Sequence, residues 1–279
     1  MSATDTVAAR DGAEVPSLVA HGVSLAYDKQ RIVHELDLDI EPGQVTVIVG
    51  GNGCGKSTLL KGLGRLLRPD GGRVELGEQD ITTMSSRAVA VLLGLLPQSP
   101  IAPEGITVGD LVARGRYPHQ GMFTRHSSTD DQIVAQALAD TGTADLADRR
   151  VEELSGGQRQ RVWIAMALAQ QPKVLLLDEP TTYLDVCHQV ELLDLLADLN
   201  QRTGTTVVMV LHDLNLAARY ADRLVVMRQG RLLCQGTPRD VLTPATLQEA
   251  FGLEALVVDD PVTGDPMMVP VSSRRRPRS

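Results

Sequence analysis

The sequence predicts an α/β fold built on a parallel sheet, and three observations predict it. The short apolar runs Val45 to Val49, Val174 to Leu177 and Val207 to Leu211 are β-branched or leucine-rich, as in strands buried on both faces. Helical stretches lie between them, the alternation that parallel crossovers require. A glycine-rich octet follows the first run directly and opens a helical stretch.

Segments that read as strands, with helical stretches between, run from Val19 to about Leu256, without an internal repeat or a low-complexity linker. Between about Ser99 and Gln170 the rhythm turns helical. Thr129-Asp130-Asp131-Gln132 has the spacing of a capping box that opens an amphipathic stretch ending near Thr141-Gly142. An inserted helical subdomain accounts for this. Further on, Val190, Leu193 and Leu196 mark one face of a helix. Leu224 to Gln235, turning at Gln229-Gly230, reads as a hairpin, and Pro238 and Pro244, each after a threonine, stand at first helical positions. The expected organisation is a flexible tail over 1–16, one domain over 17–270 with the helical subdomain inserted at about 99–170, and a basic tail over 271–279.

Composition narrows the function. No apolar run approaches the roughly 20 residues of a membrane-spanning helix, so a membrane role would run through a partner. The N-terminus lacks the apolar stretch of a secretory signal, and Cys54, Cys187 and Cys234 are odd in number and far apart. Small buried or half-buried thiols in a reducing cytoplasm are expected. A net charge of −8 argues against nucleic acid, whose binders displace counterions with a basic surface. The one basic run, Arg274, Arg275, Arg276 and Arg278, reads as a solvated tail.

Gly50-Gly51-Asn52-Gly53-Cys54-Gly55-Lys56-Ser57, followed by Thr58, fits Gly-x-x-x-x-Gly-Lys-Ser between a strand and a helix. Its glycines let backbone N–H groups converge on phosphates, and the helix that follows presents its positive end. Lys56 adds a compact charge and Ser57 a hydroxyl for Mg²⁺. Only four lysines occur in this arginine-rich chain, and one stands here. The planar fork of arginine would not replace its ammonium. The run Val174 to Leu177 delivers Asp178 and Glu179 at its C-terminal end, where open α/β sheets bind ligands. Asp178 is expected to complete the Mg²⁺ shell with Ser57, and Glu179 to polarise the attacking water as general base.

Leu154-Ser155-Gly156-Gly157-Gln158 precedes the helical run Arg159 to Ala169, and Ser155 and Gln158 also have capping-box spacing. A helix N-terminus that two glycines leave open to close approach is a second anion site.

With these motifs the chain resembles the ATP-binding cassette family over nearly its whole length. The resemblance implies an ABC ATPase core with a parallel sheet, an N-terminal antiparallel β subdomain and the inserted helical subdomain. It also implies a pair of cassettes sandwiching two ATP molecules, with Ser155, Gly156, Gly157, Gln158 and Asp185 of one acting on the nucleotide of the other. Tyr27 falls where an aromatic stacks on adenine. Gln98 falls where a glutamine touches Mg²⁺ and senses a permease, and His212 where a histidine holds the γ-phosphate. His119, His126 and His188 have no such place and no metal-ligand spacing, and Trp163 reads as packing.

Within the family the chain is similar to importers of ferric siderophores, ferric citrate, haem and vitamin B12. Gly50 to Leu60, Leu96-Pro97-Gln98, Gly115-Arg116-Tyr117-Pro118, Pro180 to Asp185, Leu211 to Asn215 and a terminal hairpin at Asp260 to Pro266 carry that likeness. It implies an ATPase at the cytoplasmic face of the membrane, two permease subunits, an extracytoplasmic binding protein, and a ferric siderophore or ferric citrate as first-choice cargo. Segment Ser99 to Pro118 would meet the permease. Gly51 departs from the proline usual at its position, which should loosen the loop slightly. A soluble cassette acting on DNA or ribosomes is the competing class, and the acidic charge and lack of coiled-coil or zinc insertions weigh against it. A P-loop kinase of metabolites would not need Leu154 to Gln158, and an exporter half would carry a fused membrane domain.

Overall fold

The computed structural model describes residues 15–28, 30–121 and 127–271. Its first half holds β1 (Leu18–Tyr27), β2 (Gln30–Ile40), β3 (Val45–Gly50), α1 (Lys56–Leu63), β4 (Gly71–Leu76), β5 (Gln79–Asp80), α2 (Ser86–Leu92) and β6 (Leu93–Leu96). α3 (Val108–Ala113), a 3₁₀ turn at Arg114–His119, α4 (Ser128–Asp140) and α5 (Gly156–Ala169) come next, before β7 (Val174–Asp178). Then follow α6 (Val186–Thr203), β8 (Thr206–Val210), α7 (Leu214–Tyr220), β9 (Arg223–Arg228), β10 (Arg231–Gly236), α8 (Pro238–Val241), α9 (Pro244–Phe251), β11 (Ala255–Asp259) and β12 (Pro266–Pro270).

The central sheet runs β10-β9-β3-β8-β7-β6, parallel except for β10. β3, β7 and β8 are buried at every position. Their residues alternate between two cores. Val45, Val47, Leu175, Leu177, Val207 and Met209 face the helical side, and Ile48, Val174, Leu176, Val208 and Val210 face α1 and the second sheet. Continuous apolar runs follow because neither face meets water. The second sheet, β2-β1-β4-β5, is antiparallel and lies at the N-terminal side of the sequence. The α/β core and the antiparallel N-terminal sheet agree with the sequence reading.

Several boundaries move. The strand expected at Val207 to Leu211 is β8, which ends at Val210 and leaves Leu211 buried just beyond it. The capping box lies two residues before the expected Thr129 and Gln132: Ser127 caps α4, and its hydroxyl and the Asp130 carboxylate close the reciprocal bonds. The reason is tertiary, because buried Asp130 also takes Arg116 Nε at 2.8 Å, and only the Ser127 register brings its carboxylate to both. Cys54 and Cys234 are buried and half-buried, but Cys187 is exposed on the first turn of α6. The β9–β10 hairpin turns at Gln229 and Gly230, both with positive φ, the signature of a type I′ turn. Pro238 and Pro244 open α8 and α9, and β11 pairs with β12 in a terminal hairpin of which the expected Asp260 to Pro266 forms mainly the turn. Trp163 is packed in the core, and His119 binds the Gln170 carbonyl at 2.7 Å. His126 and the arginines at 274–278 lie outside the described residues. Among the described residues no helix is long and apolar enough to cross a membrane, and no cluster of metal-ligating side chains stands apart.

Candidate active site

β3 ends in Gly50, which lies so close to the next strand that a Cβ would run into the Met227 carbonyl oxygen. The chain then loops over Gly51 to Gly55, and Gly55, at φ 104°, swings it into α1. A side chain is disfavoured at that angle. Lys56 is 5% exposed and its Nζ reaches back to the carbonyls of Gly50 at 2.9 Å and Gly51 at 3.2 Å. The ammonium thus spans the loop and holds it open as a cradle of N–H groups at a helix N-terminus.

Around this cradle lies a cleft of about 550 Å³ lined by Tyr27, Ile32, Asn52, Gly53, Cys54, Gly55, Lys56, Ser57, Thr58, Gln98, Glu179 and His212. Gly50 is not among the lining residues, and Gly51 lines a smaller hollow with Arg228, Gln229 and Ala250. Tyr27 stands at the mouth, half exposed, with Lys61 Nζ 5.9 Å from its ring centre and 3.4 Å from its hydroxyl. Ile32 beside it was not singled out by sequence, because an isoleucine in a strand carries no chemical signal.

Asp178 ends β7 at 2% exposure, and its Oδ1 accepts a 2.7 Å hydrogen bond from Ser57 Oγ. Burial pushes its carboxyl above the usual carboxylate range, against the opposing pull of the Ser57 bond. Its Oδ2 is buried without a partner. An orphaned carboxylate oxygen beside the Ser57 hydroxyl, with the Gln98 side chain in the adjoining cleft, offers hard oxygen donors, which fits Mg²⁺.

Glu179 follows in the left-handed region at φ 53°, and this turns its side chain from the strand into the cleft. Each carboxylate oxygen is engaged. Oε1 lies 2.6 Å from His212 Nε2, and Oε2 accepts from Gln98 Nε2 at 2.7 Å and Thr182 Oγ1 at 3.2 Å. His212 is held by the junction between β8 and α7, where Asp213 caps the helix by accepting from the Asn215 and Leu216 amides.

A second hollow of about 450 Å³ gathers Ser155, Gly156, Gly157, Gln158 and Asp185 with Arg161, Tyr183, Leu184 and His188. Ser155 caps α5, accepting from the Gln158 amide at 3.3 Å, while Gln158 Oε1 accepts the Ser155 amide at 3.1 Å. Asp185 caps α6, and the amide and imidazole of His188 hold its carboxyl below the usual range. The sequence reading missed Arg161 and set His188 aside. Arg161 is one helical turn beyond Gln158, so helix spacing alone could have shown that it shares the α5 face with the signature. The two hollows have no lining residue in common.

A phosphate cradle at the end of β3, with two carboxylates at the end of β7 across the intervening β8, defines a P-loop ATPase. Residues 33–182 match the family described as ABC transporter. The chain belongs to that family. It is 50% identical over 262 residues to the achromobactin transport ATP-binding protein CbrD of Dickeya dadantii, covering 94% of this chain and 97% of that protein. It is 48% identical over 257 residues to the ferric enterobactin transport ATP-binding protein FepC of Escherichia coli, covering 92% and 95%. Among solved structures, an inward-facing metal-chelate type ABC transporter matches with a TM-score of 0.78 at 32% identity, over 93% of this chain and 99% of that one. The dimeric bacterial cassette MJ0796 matches with a TM-score of 0.72 at 26% identity, over 79% and 98%.

Proposed function

We propose that this chain is the ATP-hydrolysing subunit of an importer for an iron chelate, a ferric siderophore or ferric citrate. The observation that carries the ATPase half is the Glu179 carboxylate, placed in the cleft beside the Ser57–Asp178 pair. The transport half rests on the likeness to siderophore transport subunits across more than nine-tenths of the chain.

In this reading the unit is one domain over 17–270, with the helical subdomain at about 99–170 and tails at 1–16 and 271–279. Tyr27 stacks on adenine. The amides of Gly50 through Thr58 and the Lys56 ammonium take the phosphates, so negative charge is met by a fixed cradle that need not reorganise. Ser57, Asp178 and Gln98 would hold Mg²⁺, which supplies charge neutralisation on the phosphate oxygens when bound. Glu179 accepts the proton of the attacking water, and His212 donates to the γ-phosphate.

A chain's own Ser155 to Gln158 and Asp185 line a different hollow from its phosphate cradle, which supports a reading in which a second copy of the chain brings its signature to each ATP. The partners are that copy, two membrane permease subunits at the cytoplasmic face and, through them, an extracytoplasmic binding protein. Nucleic acid has no place in this reading.

Two measurements test it. Glu179→Gln keeps shape and hydrogen bonding but removes the proton acceptor, so ATPase turnover should fall by roughly 10²- to 10⁴-fold while ATP still binds and an ATP-bound dimer accumulates. Turnover near the wild-type rate removes Glu179 from its role. Uptake of labelled ferric siderophore, ferric citrate, haem and cobalamin in a deletion strain then reads the cargo. Loss of haem or cobalamin uptake alone would replace the iron-chelate assignment.

A further inference from the structure

Glu179 sits in the left-handed region with three donors on one carboxylate, and they differ in what ties them down. Gln98 comes from the segment after β6, 81 residues away in sequence. His212 comes from the junction between β8 and α7. Thr182 alone belongs to the same turn. Its amide donates to the Glu179 carbonyl at 3.2 Å, and its hydroxyl donates to Glu179 Oε2 at 3.2 Å. Backbone and side chain of one threonine therefore fix both ends of the glutamate.

If Gln98 turns to Mg²⁺ and His212 to the γ-phosphate, two of the three donors leave the carboxylate when nucleotide binds. A glutamate with a free χ1 to χ3 then loses its aim through rotamer freedom. Thr182 has no such second task and moves with the turn, because its bonds span three residues. The turn is also braced from outside by buried Gln160, whose Nε2 donates to the Pro180 carbonyl at 3.1 Å. We propose that Thr182 is the positioning residue of the hydrolysis step, its hydroxyl holding the Glu179 carboxylate in line with the attacking water after Gln98 and His212 have let go. This rests on Glu179 being the general base. Serine keeps the hydroxyl and valine keeps the shape without it, so the pair separates hydrogen bonding from packing.

The experiment measures steady-state ATPase on the full chain for wild type, Thr182→Val, Thr182→Ser and Glu179→Gln, together with Thr182→Val in the Glu179→Gln background. Thr182→Val is expected to lower kcat about tenfold, with KM for ATP and nucleotide-free melting temperature nearly unchanged, and Thr182→Ser to restore most of the rate. In the Glu179→Gln background the valine change should have no further effect, since a residue that acts through another is silent once that other is disabled. A kcat for Thr182→Val within twofold of wild type while Glu179→Gln is inactive overturns the role of Thr182 and leaves Glu179 standing. Equal losses in valine and serine variants, or a lowered melting temperature that matches the loss, would make Thr182 a packing residue. An active Glu179→Gln protein would remove the reading beneath it instead.

Discussion

Ser57 and Asp178, 121 residues apart in sequence, share a 2.7 Å hydrogen bond, and the carboxylate oxygen that Ser57 does not touch is buried without a partner. The pair thus fits a cation, and the unpartnered oxygen costs the folded chain some stability. Burial raises the Asp178 carboxyl in the folded state, so the folded form binds the proton more tightly than the unfolded one. Stability from this group is full below the ordinary carboxylate pKa and is lost as pH rises through the raised one. Asp178→Asn should therefore raise the melting temperature of nucleotide-free protein at neutral pH in EDTA. The same change should abolish the extra stabilisation that MgATP gives the wild type. Thermal unfolding with and without MgATP reads both effects.

The separate linings of the two hollows lead to a complementation test. Ser155→Arg fills the signature hollow and should abolish turnover while leaving ATP binding by the monomer intact. A one-to-one mixture with Lys56→Ala should recover about a quarter of the wild-type rate if subunits exchange at random and sites act independently, because each mixed pair retains one undamaged site. Two inactive proteins that stay inactive when mixed would place the signature in service of its own chain.

Arg116 and Asp130 make a buried pair at 2.8 Å, with further bonds from the guanidinium to the Ala169 carbonyl at 2.8 Å and to Gln171 Oε1 at 3.1 Å. Breaking such a pair from one side leaves a buried charge alone and costs about 3–5 kcal/mol. Arg116→Ala should destabilise by about that amount in urea, and Arg116→Ala with Asp130→Ala by less than the single change. A single change that costs under ~1 kcal/mol would show that the pair is solvated in solution.

Tyr220 donates to Asp194 Oδ1 at 2.7 Å, linking α7 to α6, and burial together with that carboxylate pushes its hydroxyl up to about 12. The folded pKa lies above the unfolded one, so the bond's contribution holds below about pH 10 and fades as pH rises toward 12. Tyr220→Phe should lower stability near pH 8 and flatten its fall between pH 10 and 12, as followed by urea unfolding across that range.

Cys54 lies in the phosphate loop, and burial pushes its thiol up. Alkylation by a bulky maleimide should be slow at neutral pH, faster as pH rises, and blocked by MgATP. Cys187, exposed on α6, should label without regard to nucleotide. Mass spectrometry of each site over time separates the two, and equal protection of both would count against the loop placement.

Much of the site could be read in the sequence because its chemistry is local. A phosphate cradle needs consecutive amides, so Gly50 to Thr58 appear as one word, and the acids at the end of β7 are adjacent. What joins these words is not local. Nothing in the chain's order says that Gln98 and His212 converge on Glu179, or that Thr182 has its hydroxyl on the same oxygen. The capping box of α4 shows the same limit, since two registers satisfy the spacing and only the distant Arg116 selects Ser127 over Thr129. Cys187 was expected inside on residue type alone, but it falls on the outer face of a half-exposed helix.

Gln160 lies on α5, the helix whose N-terminus forms the signature hollow, and it holds the Pro180 carbonyl one residue past Glu179. On the proposed reading, the surface that one chain offers to a neighbour's nucleotide is therefore joined by one hydrogen bond to the turn that carries its own Glu179. In a two-fold pair of the proposed kind, displacement at one signature would reach the same chain's glutamate through this bond. Gln160→Leu, which removes this bond without touching a nucleotide, tests the link: the cooperativity of ATPase rate with ATP concentration should fall, and an unchanged Hill coefficient would show that the bond carries nothing between the sites.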